Sequence, residues 1–119
     1  MYQFNHFNFN VLDMERSLAF YDEALGLKPV RTVDNDDFTL AFLGDGATGF
    51  TLELTYIKGR TEPYNLGECE FHLAMASGDM AASLKKHEAM GAVCFKNEAM
   101  GLYFITDPDG YWIEIIPQK

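Results

Sequence analysis

Near the start of the chain, Phe7, Phe9 and Val11 alternate with His6, Asn8 and Asn10. A two-residue period predicts a half-buried strand over about 2–11, with the two sets on opposite faces. The period then lengthens. Asp13 is placed to cap a helix that runs to about Leu25, with Leu18, Tyr21 and Leu25 at helical spacing and Gly26 ending it. Strands follow at about 29–33, 38–43 and 49–57, separated by the turns Asp34-Asn35-Asp36-Asp37 and Gly44-Asp45-Gly46. Residues 58–67 are mostly polar, carry Gly59, Pro63 and Gly67, and read as a connector.

After the connector the same order of patterns begins again. A strand is predicted over about 69–76, then a helix capped by Asp79 that runs to about Met90 and ends at Gly91. Strands at about 93–96, 102–106 and 111–117 complete the second half. Individual residues carry the repeat: Asp13-Met14 and Ser17-Leu18 return as Asp79-Met80 and Ser83-Leu84. His6 recurs as His72 at the same offset, Asp45-Gly46 matches Asp109-Gly110, and Leu52-Glu53-Leu54 matches Ile113-Glu114-Ile115. The chain is an internal duplication of a βαβββ unit. The expected fold is α+β, with module 1 over about 1–57, a connector over 58–68 and module 2 over about 69–119, together one domain.

Length and composition narrow the function classes. A chain of 119 residues is long enough to bury one core without disulfide or metal staples. A net charge of −9 argues against a nucleic-acid or anionic-membrane surface. No apolar run approaches 18 residues and the first residues lack a signal peptide's pattern, so a cytoplasmic location is expected. Cys69 and Cys94 stand apart without CxxC spacing, as reduced thiols do.

The chemistry lies in the apolar strands. Glu114 sits within Trp112-Ile113-Glu114-Ile115-Ile116, where an ionised carboxylate needs a partner, a metal or a raised pKa. Each half supplies one His on its first strand and one Glu on its last: His6 with Glu53, and His72 with Glu114. Strand parity puts all four opposite the large apolar residues, on the sheet face turned away from the helix. Two imidazoles and two carboxylates suit a divalent first-row metal such as nickel, cobalt, zinc or iron better than calcium or magnesium. The lack of thiolates argues against a structural zinc site. His87, in Lys85-Lys86-His87-Glu88, reads as a solvated residue on a polar helix face.

With these motifs in view, the sequence resembles the vicinal-oxygen-chelate superfamily and, within it, the glyoxalase I (lactoylglutathione lyase) family. Beyond the four His and Glu residues, the likeness is carried by Arg16-Ser17, Phe20-Tyr21, Leu25-Gly26-Leu27, Tyr64, Leu66-Gly67 and Asp107-Pro108-Asp109-Gly110-Tyr111. The resemblance implies paired βαβββ modules with curved mixed sheets around a metal held by His6, Glu53, His72 and Glu114. It implies one divalent ion per site, nickel or cobalt favoured and zinc possible, and a homodimer whose sites can draw their two modules from different chains. It also implies isomerisation of a methylglyoxal–thiol hemithioacetal to a 2-hydroxyacyl thioester, with Glu114 as the base and Glu53 opposite it.

The glutathione-binding pattern is not kept. Family members usually carry Arg four residues after the first ligand and Asn four after the second, where this chain has Asn10 and Ile57. The segment 96–103 is also shorter than the family's loop. Asn10, Lys58 and Arg60 are the candidates for replacement polar contacts. Rival readings are another metal-dependent enzyme of the superfamily, an epimerase or dioxygenase, and a metal-free binding module like the bleomycin-resistance proteins. Glu53 counts against the enzymes, and the full quartet counts against the binder.

Overall fold

The computed structural model describes all 119 residues, in two compact units, Met1–Tyr64 and Asn65–Lys119. The first contains β1 (His6–Val11), α1 (Met14–Leu25), β2 (Lys28–Asp34), β3 (Phe38–Gly44) and β4 (Thr51–Ile57). The second contains β5 (Leu73–Ser77), α2 (Met80–Ala89), β6 (Val93–Asn97), β7 (Leu102–Thr106) and β8 (Trp112–Pro117). Each unit folds as βαβββ with a four-stranded mixed sheet, ordered β1-β4-β3-β2 in one and β5-β8-β7-β6 in the other. The first and last strands of each unit pair in parallel, and the other pairings are antiparallel.

Both helices start as the caps require. Asp13 accepts from the Arg16 amide and Asp79 from the Ala82 amide, each satisfying an amide that the first turn leaves unpaired. Gly26, with φ 66°, ends α1 in the left-handed region that costs glycine little. The face of α1 that packs inward is centred on Ser17, Tyr21 and Ala24, one position away from the expected Leu18–Tyr21–Leu25 stripe. Two small side chains, Ser17 and Ala24, are buried on either side of Tyr21. Leu18 and Leu25 flank them, half-buried. The first unit's core is Phe9, Val11, Tyr21, Leu43, Leu52 and Leu54, while the second's includes Tyr103, Ile105, Tyr111, Ile113 and Ile115.

Three local expectations are corrected. The strand foreseen over 69–76 begins only at Leu73. Gly67 and Cys69 both adopt positive φ, and the turned backbone cannot join the ladder until it straightens. The turn matching Asp45-Gly46 is built around Asp107 rather than Asp109. Asp45 follows β3 and accepts from the Ala47 and Thr48 amides, just as Asp107 follows β7 and accepts from Asp109 and Tyr111.

The third concerns His87, which is buried at 2% exposure rather than solvated. Its Nδ1 lies 2.7 Å from the Tyr103 hydroxyl. Tyr103 also hydrogen-bonds Ser83, whose hydroxyl is 2.5 Å from that of Ser77, so a polar chain, buried at His87 and half-buried at the serines, joins α2 to the sheet. Replacing His87 by Phe should destabilise the protein by about 1–2 kcal/mol in urea unfolding, because Tyr103 loses a buried partner. Unchanged stability would contradict this packing.

Burial pushes the Tyr103 phenol up to about 12 from 10.0. A raised acid pKa favours the neutral form in the folded state, so its contribution is intact below pH 10 and lost as pH rises towards 12. The difference between the wild-type and Tyr103→Phe ultraviolet titrations should therefore show a phenol midpoint near 12. A midpoint at 10 would refute the effect of burial.

Candidate metal and catalytic site

Residues opposite one another in a ladder share a face, so the register builds the site row by row. In the first unit Asn8, Glu53, Phe42 and Arg31 lie in one row across all four strands. In the second, Ala74, Glu114, Phe104 and Phe95 occupy the corresponding row. The flanking residues Leu52, Leu54, Ile113 and Ile115 are buried on the opposite face, beneath the helices. Both carboxylates therefore emerge on the helix-free side, as strand parity predicts.

A β-bulge at the same place in each unit sets the ends of these rows. The register shifts between Pro29 and Arg31, and again between Val93 and Phe95. One extra residue reverses which side chains face which way, so Arg31 and Phe95 join the carboxylate face. Gly44 makes room for the first bulge: a Cβ there would stand 2.9 Å from Val30 Cγ1.

Each carboxylate meets the imidazole of its own unit. His6 Nε2 is 3.7 Å from Glu53 Oε1, and His72 Nε2 is 3.5 Å from Glu114 Oε1. The histidine side chains are 41% and 38% exposed and the carboxylates 16% and 19%, so both pairs are reachable from solvent while seated on the sheet. The inner phenylalanines brace the imidazoles edge-on, Phe42 against His6 at 5.7 Å and Phe104 against His72 at 5.1 Å. In each pair one imidazole nitrogen and one carboxylate oxygen stand close enough to reach a single ion. Two ligands of a single first-row ion, each about 2.1 Å from it, stand at most about 4.2 Å apart. The donors are of the right type and spacing for such an ion, two per unit, and no group of three or more His, Cys, Asp or Glu is poised to hold a metal.

The two carboxylates have different neighbours. With its amide nitrogen turned towards the surrounding acceptors, Asn8 donates to Glu53 Oε1 at 3.1 Å and to Thr55 Oγ1 at 2.5 Å, with Asn10 at 2.7 Å on its other side. Glu114 has Ala74 and Phe104 beside it in the ladder, and Trp112 packs on Phe104 at 5.3 Å. Beside its imidazole, Glu53 has the Asn8 amide, whereas the ladder neighbours of Glu114 are carbon side chains.

Of the expected substrate contacts, Asn10 lies on the same face as His6 and Asn8, bonded to Asn8. Lys58 reaches back to the β2–β3 hairpin, pairing with Asp34 at 2.8 Å and donating to the Asn35 carbonyl at 2.5 Å. That contact and the Thr39 hydroxyl hold the Asp34 carboxyl below its usual range. Arg60 stands 4.0 Å over the Tyr64 ring and donates to the Glu62 carbonyl at 2.8 Å. The sequence pattern singles out neither Asn8 nor Arg31. Only the bulge reveals Arg31, whereas Asn8 already shared the His6 face.

Residues 3–115 match the family model described as the Glyoxalase/Bleomycin resistance protein/Dioxygenase superfamily. The chain belongs to this superfamily. Among curated relatives, a probable lactoylglutathione lyase of Vibrio parahaemolyticus is 37% identical over 96% of this chain and 89% of its own length. The lactoylglutathione lyase of Haemophilus influenzae is 36% identical over 98% of this chain and 93% of its own. Among solved structures, the trypanothione-dependent glyoxalase I of Leishmania major superposes with TM-score 0.87 at 32% identity, covering 98% of this chain and 87% of that one. The glyoxalase superfamily fold also serves an antibiotic-binding protein of Streptomyces, TnmS3, at TM-score 0.75 and 18% identity over 100% of this chain and 98% of that one, a likeness of fold alone.

Proposed function

We propose that the protein is a metal-dependent glyoxalase I-type lyase, a carbon–sulfur lyase acting on the hemithioacetal of methylglyoxal and a small thiol. The observation that carries this reading is the repeated His–Glu pair, one on the helix-free face of each sheet, in a chain about 35% identical to lactoylglutathione lyases over nearly its whole length. His6, Glu53, His72 and Glu114 are the proposed ligands of one divalent ion per site, nickel or cobalt before zinc. The proposed assembly is a homodimer whose sites can take their two modules from different chains, working in the cytoplasm. No helix is long and apolar enough to cross a membrane.

Bound there, the cation would supply Lewis-acid stabilisation for negative charge developing on the substrate's two neighbouring oxygens. The proton on the thiol-bearing carbon is too weakly acidic for an unaided carboxylate. Glu114 is the proposed base. It takes that proton and returns it to the adjacent carbon, while the hydroxyl proton passes between the two oxygens, leaving a 2-hydroxyacyl thioester with no atom gained or lost. The apolar neighbours of Glu114 suit a group that must be re-protonated in each turnover. The Asn8 amide suits Glu53 to a fixed place opposite.

Asn10, Lys58 and Arg60 remain candidates for the thiol's polar groups. Lys58 and Arg60 would have to leave the partners they now hold.

The test is thioester absorbance from methylglyoxal with glutathione and other small thiols after loading with nickel, cobalt or zinc. Formation with at least one thiol is expected, and silence with every combination would reject the function. Glu114→Gln should lower kcat by about 10²–10⁴-fold while the protein keeps most of its metal, as loss of a general base does. A fully active Gln variant would remove Glu114 from the role of base.

A further inference from the structure

The cations of the first unit are nearly all committed. Lys28 is paired with Asp22, Lys58 with Asp34, and Arg60 with a ring and backbone carbonyls. Arg31 is exposed and has no carboxylate partner; its guanidinium carbon lies 5.1 Å from the centre of the Phe42 ring. Phe42 is also the ring that braces His6 and the ladder neighbour of Glu53. With strands about 4.8 Å apart, the Arg31 backbone lies two strands, or about 10 Å, from that of Glu53. Its side chain rests on the intervening ring.

The second unit shows how specific this placement is. Its row repeats the carboxylate and the inner phenylalanine, and its bulge presents Phe95 where the first presents Arg31. Phe95 stacks on Trp112 at 6.4 Å and packs with Phe104, forming an aromatic wall. Two copies of one framework thus end in a cation on one sheet and a hydrocarbon surface on the other.

On the lyase reading, which this inference deepens, we propose that Arg31 anchors the thiol half of the substrate by binding one of its carboxylates. The cosubstrate is thereby a small thiol bearing a carboxylate several bonds from sulfur. A planar guanidinium forms two parallel charge-assisted bonds to a carboxylate, and the Phe42 ring pre-orients it. In a chain of net charge −9, an anionic substrate needs such a local attraction to approach the Glu53 face. Arg31 supplies the charge that Asn10 and Ile57 do not, and only its contact with Phe42 already engages it.

The experiment compares wild type, Arg31→Met and Arg31→Lys by calorimetric binding of S-methylglutathione and of its dimethyl ester, which lacks both carboxylate charges. Arg31→Met should weaken the free acid by about 10–100-fold, the scale of one charge-assisted contact, and the ester by less than about twofold. Arg31→Lys should fall between. In turnover with a carboxylate-bearing thiol, Arg31→Met should raise KM while leaving kcat nearly unchanged. The inference is overturned if wild type fails to prefer the acid, or if Arg31→Met binds acid and ester as wild type does or loses both equally. A chain that binds the acid through Arg31 yet forms no thioester would defeat the lyase reading and keep the anchor. An active chain whose Arg31→Met variant keeps its KM would do the reverse.

Discussion

Ladder neighbours in a pleated sheet must share a face, and in both units that constraint separates packing from chemistry. The helix-side face spends its residues on burial: Phe9, Leu52 and Leu54 in one sheet, Ile105, Ile113 and Ile115 in the other. The opposite face is released from the core, so it can hold imidazoles and carboxylates without the cost of burying unpaired charge. Shifting β4 or β8 by one residue would send its glutamate into the core and expose its neighbours. Fold and candidate site therefore depend on the same register.

Duplication explains the resemblance between the two His–Glu pairs, and divergence explains why their surroundings differ. His6–Glu53 and His72–Glu114 differ by only 0.2 Å in their donor separations, 3.7 and 3.5 Å. Around them the surroundings part. Asn8 and Thr55 become Ala74 and Ile116 beside the second carboxylate, and Arg31 becomes Phe95 at the end of the row. One framework thus carries a cation at the end of its row in the first unit and an aromatic ring at the end of its row in the second.

Much of this was legible in the sequence because alternation is a strong signal. The placing of His6, Glu53 and Glu114 on their strands, both helix caps and the repeated element order follow from period and spacing alone, whereas His72 stands one residue before β5. The bulges do not, since a single inserted residue changes facing without leaving a compositional mark. Plain alternation from Pro29 would have put Arg31 on the same side as Pro29, and the structure puts them on opposite sides. His87 was obscured differently. Its neighbours Lys85, Lys86 and Glu88 imitate a polar helix face, yet it lies 66 positions after the buried Tyr21, the offset that relates His6 to His72. The repeat held better information than the local composition. The late start of β5 depends on backbone angles at Gly67 and Cys69, which no periodicity encodes.

The proposed function requires the two His–Glu pairs to act as ligands of one ion. Calorimetric titration of nickel into metal-free wild type, His6→Ala and His72→Ala tests this requirement. One ion per chain is expected in wild type, with a comparable, large loss of affinity in both variants, although the two histidines belong to different units. Undiminished binding in either variant, or two independent sites per chain each lost with only its own histidine, would contradict it.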